Sequence, residues 1–358
     1  MYSSDFGGDK DGYVTHPLYV DDGRIYCDPT PAGISAAKKV MDTLKGKFGV
    51  EFPAKDPEED YFLGANRVST KRGDVSVRAN TYIQTMIDRY VPDGDLTKYP
   101  SHWSYTPADD TLMRAWEIAT TTRPDASKED VKKYQELFGS LLHVVKYRPE
   151  ISTAMGRLGT CLTFPTDELY KCMMRVLIYL GRSPRMGTSF NKHAVNGDKL
   201  VAYADSDWGV TRSTTGFIIL LAGGCIASAS RRQHCISMSS TEAELNALAE
   251  CAIELLFVRA VAEFIGLDVS EPIDVSTDNK GAHDLCHRFS SAQHSRHIDR
   301  KMFKMRELRG AGLVNVKWIP TDTNPADLFT KILSRQLFER HRKRVLNLSG
   351  DTGGNPAK

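Results

Sequence analysis

No run of about 18 apolar residues occurs anywhere in the 358-residue sequence, which argues against a transmembrane helix. The opening Met1-Tyr2-Ser3-Ser4-Asp5 has neither a basic flank nor an apolar core, so no signal peptide is read there. Cysteines are few and unordered: Cys27, Cys161, Cys172, Cys225, Cys235, Cys251 and Cys286 form an odd set of seven without a Cys-x-x-Cys pair. Neither a disulfide framework nor a zinc ribbon is indicated by that spacing, and a reducing, intracellular setting is expected. Net charge is only +2, too small to announce a nucleic-acid binder. What remains, 41% hydrophobic and 26% charged, is ordinary globular composition with length for two or three domains.

Charge is informative in its distribution. His294, Arg296, His297, Arg300, Lys301, Lys304 and Arg306 crowd between Arg288 and Arg309, and a second cluster holds Arg335, Arg340, Arg342, Lys343 and Arg344. Either would suit a phosphate backbone, and either would equally suit a solvated helix face. Four acids carry more: Asp205 in Tyr-Ala-Asp-Ser-Asp-Trp, Glu244 in Thr-Glu-Ala-Glu-Leu, Asp278 in Val-Ser-Thr-Asp-Asn and Asp327 in Asn-Pro-Ala-Asp-Leu-Phe. Carboxylates gathered from separate segments repel one another unless cations lie between them, so divalent metal and a nuclease are the leading expectation.

Leu18-Tyr19-Val20 and Arg24-Ile25-Tyr26 read as hairpin arms around Asp21-Asp22-Gly23. Helical spacing follows from Ile34 to about Phe48, strands over Asp60–Gly64 and Val75–Val77, and a helix over Tyr82–Tyr90. Prolines 92, 100, 107 and 124 predict a long connecting loop with short helical pieces between Pro92 and Lys128. Tyr134–Leu142 and Leu169–Leu180 are helical by period, and Gly181–Gly197 reads as a domain boundary.

Beyond it the pattern gives strands at Leu200–Ala204, Gly216–Leu221 and Cys225–Ser230, then an amphipathic helix through Leu245, Leu248, Ala252 and Leu256. A fourth strand (Ile273–Ser276), helices over Lys280–His287 and Ile298–Arg309, a fifth strand (Val314–Trp318) and a final helix (Ala326–Val345) complete an α/β domain with a five-stranded mixed sheet. Asp205 and Asp278 end strands, Glu244 lies early in the long helix and Asp327 opens the last helix, so all four meet if the first and fourth strands are neighbours.

Tyr-Ala-Asp-Ser-Asp-Trp, Ser-Ser-Thr-Glu-Ala-Glu-Leu-Asn-Ala-Leu, Arg-His-Ile-Asp and Asn-Pro-Ala-Asp-Leu-Phe-Thr-Lys occur in that order. Together they resemble the ribonuclease H of copia-type retrotransposon polymerases. Upstream, Tyr19-Val20-Asp21-Asp22 resembles the metal-binding turn of reverse transcriptases, Tyr61-Phe62-Leu63-Gly64 the region after it, and Tyr134–Leu142 with Arg148-Pro149-Glu150 the connection segment. The resemblance covers almost the whole chain. It implies a truncated reverse-transcriptase palm and thumb over residues 1–90, a connection region and linker over 91–198, a ribonuclease H-like domain over 199–346 and a disordered tail over 347–358.

The resemblance further implies two-metal hydrolysis of the RNA strand of an RNA–DNA hybrid with two Mg²⁺ ions, Mn²⁺ being an alternative. Asp205 would bridge both ions, Glu244 and Asp278 would serve one, and Asp327 the other. Partners would be the hybrid and other parts of a Pol polyprotein, without a membrane, in a cytoplasmic virus-like particle or the nucleus. Helical geometry does not separate Glu244 from Glu242, since both Ser239/Glu242 and Thr241/Glu244 fit a capping box; the family's Glu-Leu-x-Ala-Leu pattern falls on Glu244. Asp207 shares a strand face with Asp205 and is expected to be a turn or loop hydrogen-bonding residue. His297 is a candidate proton shuttle or a packing residue. The polymerase pair Asp21 and Asp22 lacks a credible third carboxylate among these residues and is expected to be an inactive relic. Two other readings compete: a noncatalytic nucleic-acid-binding remnant, and an integrase or transposase of the same broad fold, against which the Tyr19-Val20-Asp21-Asp22 turn and the connection segment argue.

Overall fold

The computed structural model describes residues 14–15, 18–19, 22–27, 30–52, 59–69, 73–191, 194, 197, 199–209, 212–287 and 296–348. They fall into two units, residues 1–62 and 63–358. In the first, Val14–Thr15 pairs with Tyr26–Cys27 and Leu18–Tyr19 with Asp22–Gly23, each pair antiparallel. Asp22 thus belongs to the returning arm, where a reversal around Asp21-Asp22-Gly23 had been expected. A helix follows over Pro31–Phe48, begun by Pro31 and by Thr30, whose hydroxyl accepts from the Gly33 amide at 3.1 Å. It stops at Gly49, whose φ of 66° is the left-handed conformation that closes helices.

In the second unit, Ala65–Ser69 pairs with Val75–Arg78, and Gly187–Phe190 pairs with the other side of Val75–Arg78. The stretch read as a boundary therefore contains a strand. Between them stand helices Asn80–Tyr90, Asp110–Thr122, Lys128–Val144, Ser152–Gly159 and Asp167–Gly181. The proline-bearing segment from Pro92 is less loop-like than its composition suggests. Three 3₁₀ turns lead into the Asp110–Thr122 helix, which Asp109 caps by accepting from the Thr111 amide at 3.0 Å.

The five-stranded mixed sheet consists of β1 (Val201–Asp207), β2 (Thr214–Leu221), β3 (Gly224–Arg232), β4 (Ile273–Thr277) and β5 (Val314–Trp318), in the order β3-β2-β1-β4-β5. The first three strands form an antiparallel meander, while β4 runs parallel to both β1 and β5. This is the expected ribonuclease H-like fold class, with β1 and β4 as neighbours. Helix α1 (Ser240–Phe264) packs Leu245, Leu248, Ala252 and Leu255 against Ala202, Ala204, Phe217 and Ile219 on one face. Helices α2 (Lys280–His287) and α3 (Arg296–Gly310) complete that core through Ala282, Cys286, Met302 and Met305. Tyr203, Ile218 and Leu220 on the opposite face share a second core with the helices that precede the sheet. Strand alternation thus buries both faces, which accounts for the nearly unbroken apolar run of β2.

The expected single helix over Ala326–Val345 is instead a 3₁₀ turn, Pro325–Phe329, followed after a break by α4 (Arg335–Val345). Tertiary pins hold the turn tight. Asn324 donates to the Ala204 carbonyl at 3.0 Å and accepts from the Ala326 amide, and Thr153 donates to the Leu328 carbonyl at 2.6 Å. Among the described residues no helix is long and apolar enough to cross a membrane.

Candidate metal centre

Parallel neighbours end at the same sheet edge, so β1 and β4 deliver Asp205 and Asp278 to one place. Asp327 arrives from the 3₁₀ turn, which lies directly on β2 at Gly216, the register partner of Asp205. A Cβ at Gly216 would stand 2.5 Å from Thr330 and 2.9 Å from Phe329, so only glycine admits this approach. One carboxylate oxygen from each of Asp205, Asp278 and Asp327 lies within 4.8 Å of the others.

Each acid is held by identifiable partners. Asp205 is 1% exposed and accepts from the Thr330 hydroxyl and, at 3.4 Å, from the Lys331 ammonium. Asp327 accepts from the same ammonium at 2.5 Å. The backbone of Asp278 is fixed by the Trp318 indole, which donates to its carbonyl at 2.9 Å. Glu244 approaches the end of β1 from the α1 face. It accepts from the amide and hydroxyl of Ser206 at 3.1 and 3.0 Å and from Thr277 at 3.3 Å. Asp205 and Ser206 point to opposite faces of the strand, which explains why Glu244 is not among the three converging acids.

The electrostatics show what the arrangement lacks. Burial, then the charge of Glu244, raises the Asp205 carboxyl well above the ordinary range, against the pull of Lys331 and Thr330. Burial, then Asp278, pushes Glu244 up to about 7 despite its Ser206 bonds. Buried carboxylates this close resist full ionisation unless positive charge joins them, so the oxygen-only donor set fits a divalent cation. Lys331 is the cation present: burial works against its charge, but Asp205 and Asp327 hold its pKa above the ordinary lysine range.

The neighbouring candidates have other occupations. Glu242 and Ser239 make the capping arrangement of α1, with the Ser239 hydroxyl accepting from the Glu242 amide at 3.2 Å and Glu242 accepting from the Met238 amide at 2.7 Å. Asp207 pairs with Arg157 at 3.0 Å rather than bonding within a turn. His297 lies in the first turn of α3, with its side chain outside the described set. Asp21 is outside the described residues, and Asp22 is described in its backbone alone. Much of the basic run serves the fold: Arg306 and Arg309 donate to carbonyls ending α2, Lys301 to Asn246, Arg342 to Tyr179 and Arg344 to Tyr203. Thr330, Lys331 and Ser206 were given no role from sequence, although the four-residue step from Asp327 to Lys331 is a helical-pair spacing.

No protein-family model matches the chain. It is 29% identical over 336 residues to the retrovirus-related Pol polyprotein from transposon RE1 of Arabidopsis thaliana, covering 92% of this chain and 21% of that protein. The corresponding polyprotein from transposon RE2 of Arabidopsis thaliana is 30% identical over 341 residues, again 92% of this chain and 21% of that protein. The chain therefore spans about a fifth of the length of these curated relatives. Among solved structures, LC11-RNase H1 in complex with an RNA/DNA hybrid aligns at a TM-score of 0.30 and 13% identity, over 43% of this chain and 100% of that one.

Proposed function

Because the chain belongs to the copia-type retrotransposon Pol family, we propose that residues 199–346 hydrolyse the RNA strand of RNA–DNA hybrids during reverse transcription. The observation that carries this reading is the convergence of Asp205, Asp278 and Asp327 within 4.8 Å at one sheet edge. Asp205, Glu244, Asp278 and Asp327 would hold two Mg²⁺ ions, or Mn²⁺, which when bound supply an attacking hydroxide at neutral pH and a Lewis acid for the leaving oxygen. Ser206 and Thr277 orient Glu244, and Thr330 fixes the carboxyl of Asp205. RNA is distinguished from DNA at the 2′-hydroxyl in the wide minor groove, while exposed cations such as Arg300 and Lys343 remain for phosphate contact. The partners this reading implies are the hybrid and other Pol parts, in an intracellular particle or the nucleus.

Cleavage of a labelled hybrid in Mg²⁺ tests it. The unaltered chain should cut the RNA strand, and Asp278→Asn and Glu244→Gln should each lose about a hundredfold or more. Glu242→Ala should retain cleavage and lose only about 1 kcal/mol of stability with its cap. Absence of cleavage by the unaltered chain would leave a noncatalytic nucleic-acid-binding remnant as the better reading.

We assign no DNA synthesis to these 358 residues. Asp21 and Asp22 supply two carboxylates, and Asp5, Asp9 and Asp11 stand too near on the same glycine-rich stretch to supply the third. Primer extension by the purified polypeptide should be absent, and its appearance would overturn this assignment.

A further inference from the structure

Lys331 contacts two of the acids of the candidate metal centre, Asp205 and Asp327. Its Nζ lies 2.5 Å from an oxygen of Asp327 and 3.3 and 3.4 Å from the two oxygens of Asp205. An ion shared by these carboxylates would need the same oxygens at about 2.0–2.1 Å, so an ammonium and a divalent ion repel each other there. The two sides of the contact differ in freedom. Asp205 is fixed at 1% exposure on a strand, whereas 37% of the Lys331 side chain is exposed on a flexible four-carbon stem. The cation has a route to solvent and the anion has none.

We propose that Lys331 is a resident counter-cation of the centre: it balances Asp205 and Asp327 when no ion is bound, and the ion that these two acids share binds only by displacing it. This rests on the metal-centre reading above. Two consequences follow. The ion at Asp205 and Asp327 binds more weakly than the one served by Glu244 and Asp278, and the metal-free fold depends on the lysine charge.

Mn²⁺ titration of the full chain, by calorimetry and by electron paramagnetic resonance, should show two unequal affinities. Lys331→Met, which keeps the stem and removes the charge, should tighten the weaker one by about tenfold or more. The same variant should unfold at lower temperature than the parent in EDTA and recover in Mn²⁺, whereas Lys331→Arg should behave as the parent. Unchanged Mn²⁺ affinity in Lys331→Met overturns the inference. The unaltered chain gives a second readout that needs no variant to fold: amine acylation followed by mass spectrometry should label Lys331 slowly in EDTA and faster in Mn²⁺. Equal or slower labelling in Mn²⁺, with Mn²⁺ bound, overturns the inference alone; no Mn²⁺ binding by parent or variant overturns the metal-centre reading and this inference with it.

Discussion

Asp205→Asn is expected to lower hybrid cleavage by about three orders of magnitude or more while leaving the metal-free protein as stable as the parent at pH 8, or more stable. On the proposed two-metal reading, Asp205 would serve both ions, and its loss would remove several kcal/mol of transition-state stabilisation, at about 1.4 kcal/mol per tenfold. Stability moves the other way because the Asp205 charge is a net burden on the fold: burial and the charge of Glu244 outweigh Lys331 and Thr330, so the folded carboxyl binds its proton more tightly than the unfolded one. Glu244 behaves alike, and its rise from 4.5 to about 7 corresponds to roughly 3 kcal/mol.

The sign follows from proton binding. Where the folded state holds more protons than the unfolded state, stability falls as pH rises. In EDTA the contribution of these two acids to stability should therefore be greatest below the ordinary glutamate value and be lost as pH climbs through about 7. Asparagine mimics the protonated form of Asp205 and should flatten this dependence. Thermal unfolding of the parent and Asp205→Asn at pH 5 and pH 8, with and without Mg²⁺, checks the argument; a parent whose pH dependence in EDTA matches that of Asp205→Asn would contradict it.

The sheet was legible because β1 to β5 alternate or run continuously apolar between clear turn residues, and these patterns survive tertiary packing. The last helix was misread for a tertiary reason. Leu328, Phe329, Ile332, Leu333, Leu337 and Phe338 keep a helical period, but the missing Cβ of Gly216 lets the Pro325–Phe329 turn settle on β2 and tighten there. A one-dimensional pattern does not contain that contact. By contrast, the Asp110–Thr122 helix was available in the sequence: Asp109 is a capping residue, and Leu112, Ala115, Trp116 and Ala119 form its stripe. The surrounding prolines obscured it.

The same distinction applies within the centre. Strand patterns brought out Asp205 and Asp278, although β1 runs two residues past Asp205, to Asp207, whereas the apolar pattern had placed its end at Ala204. Glu242 and Glu244 were inseparable on a helical wheel, and what distinguishes their surroundings is Ser206, 38 residues before Glu244. Long-range partners of this kind carry no local period, so the roles of Ser206 and Thr330 were invisible even though the segments containing them had been singled out; Lys331 stands one helical step from Asp327, but its contact with Asp205 is long-range.

Arg148-Pro149-Glu150 also entered as part of a resemblance, and its physical role predicts a large loss of stability. The side chains of Arg148 and Glu150 are both 0% exposed and pair at 2.6 Å. Arg148 also donates to the Ser183 carbonyl and hydroxyl at 2.9 and 3.0 Å, and Tyr179 donates to Glu150 at 3.2 Å. Arg342 reaches the Tyr179 hydroxyl at 3.2 Å, which ties α4 to this buried group. The second oxygen of Glu150 is buried without a hydrogen-bond partner among the described residues, so the pair bears desolvation that its contacts do not fully offset. Removing one member strands the other charge in the core: Glu150→Leu or Arg148→Met should each cost about 3–5 kcal/mol. Replacing both removes the stranded charge, so the double variant should lose clearly less than the two single losses added together. Denaturant unfolding of the four proteins completes this cycle. A double variant as unstable as the added single losses would show that the hydrogen bonds, and not burial of an unpaired charge, hold this part of the fold.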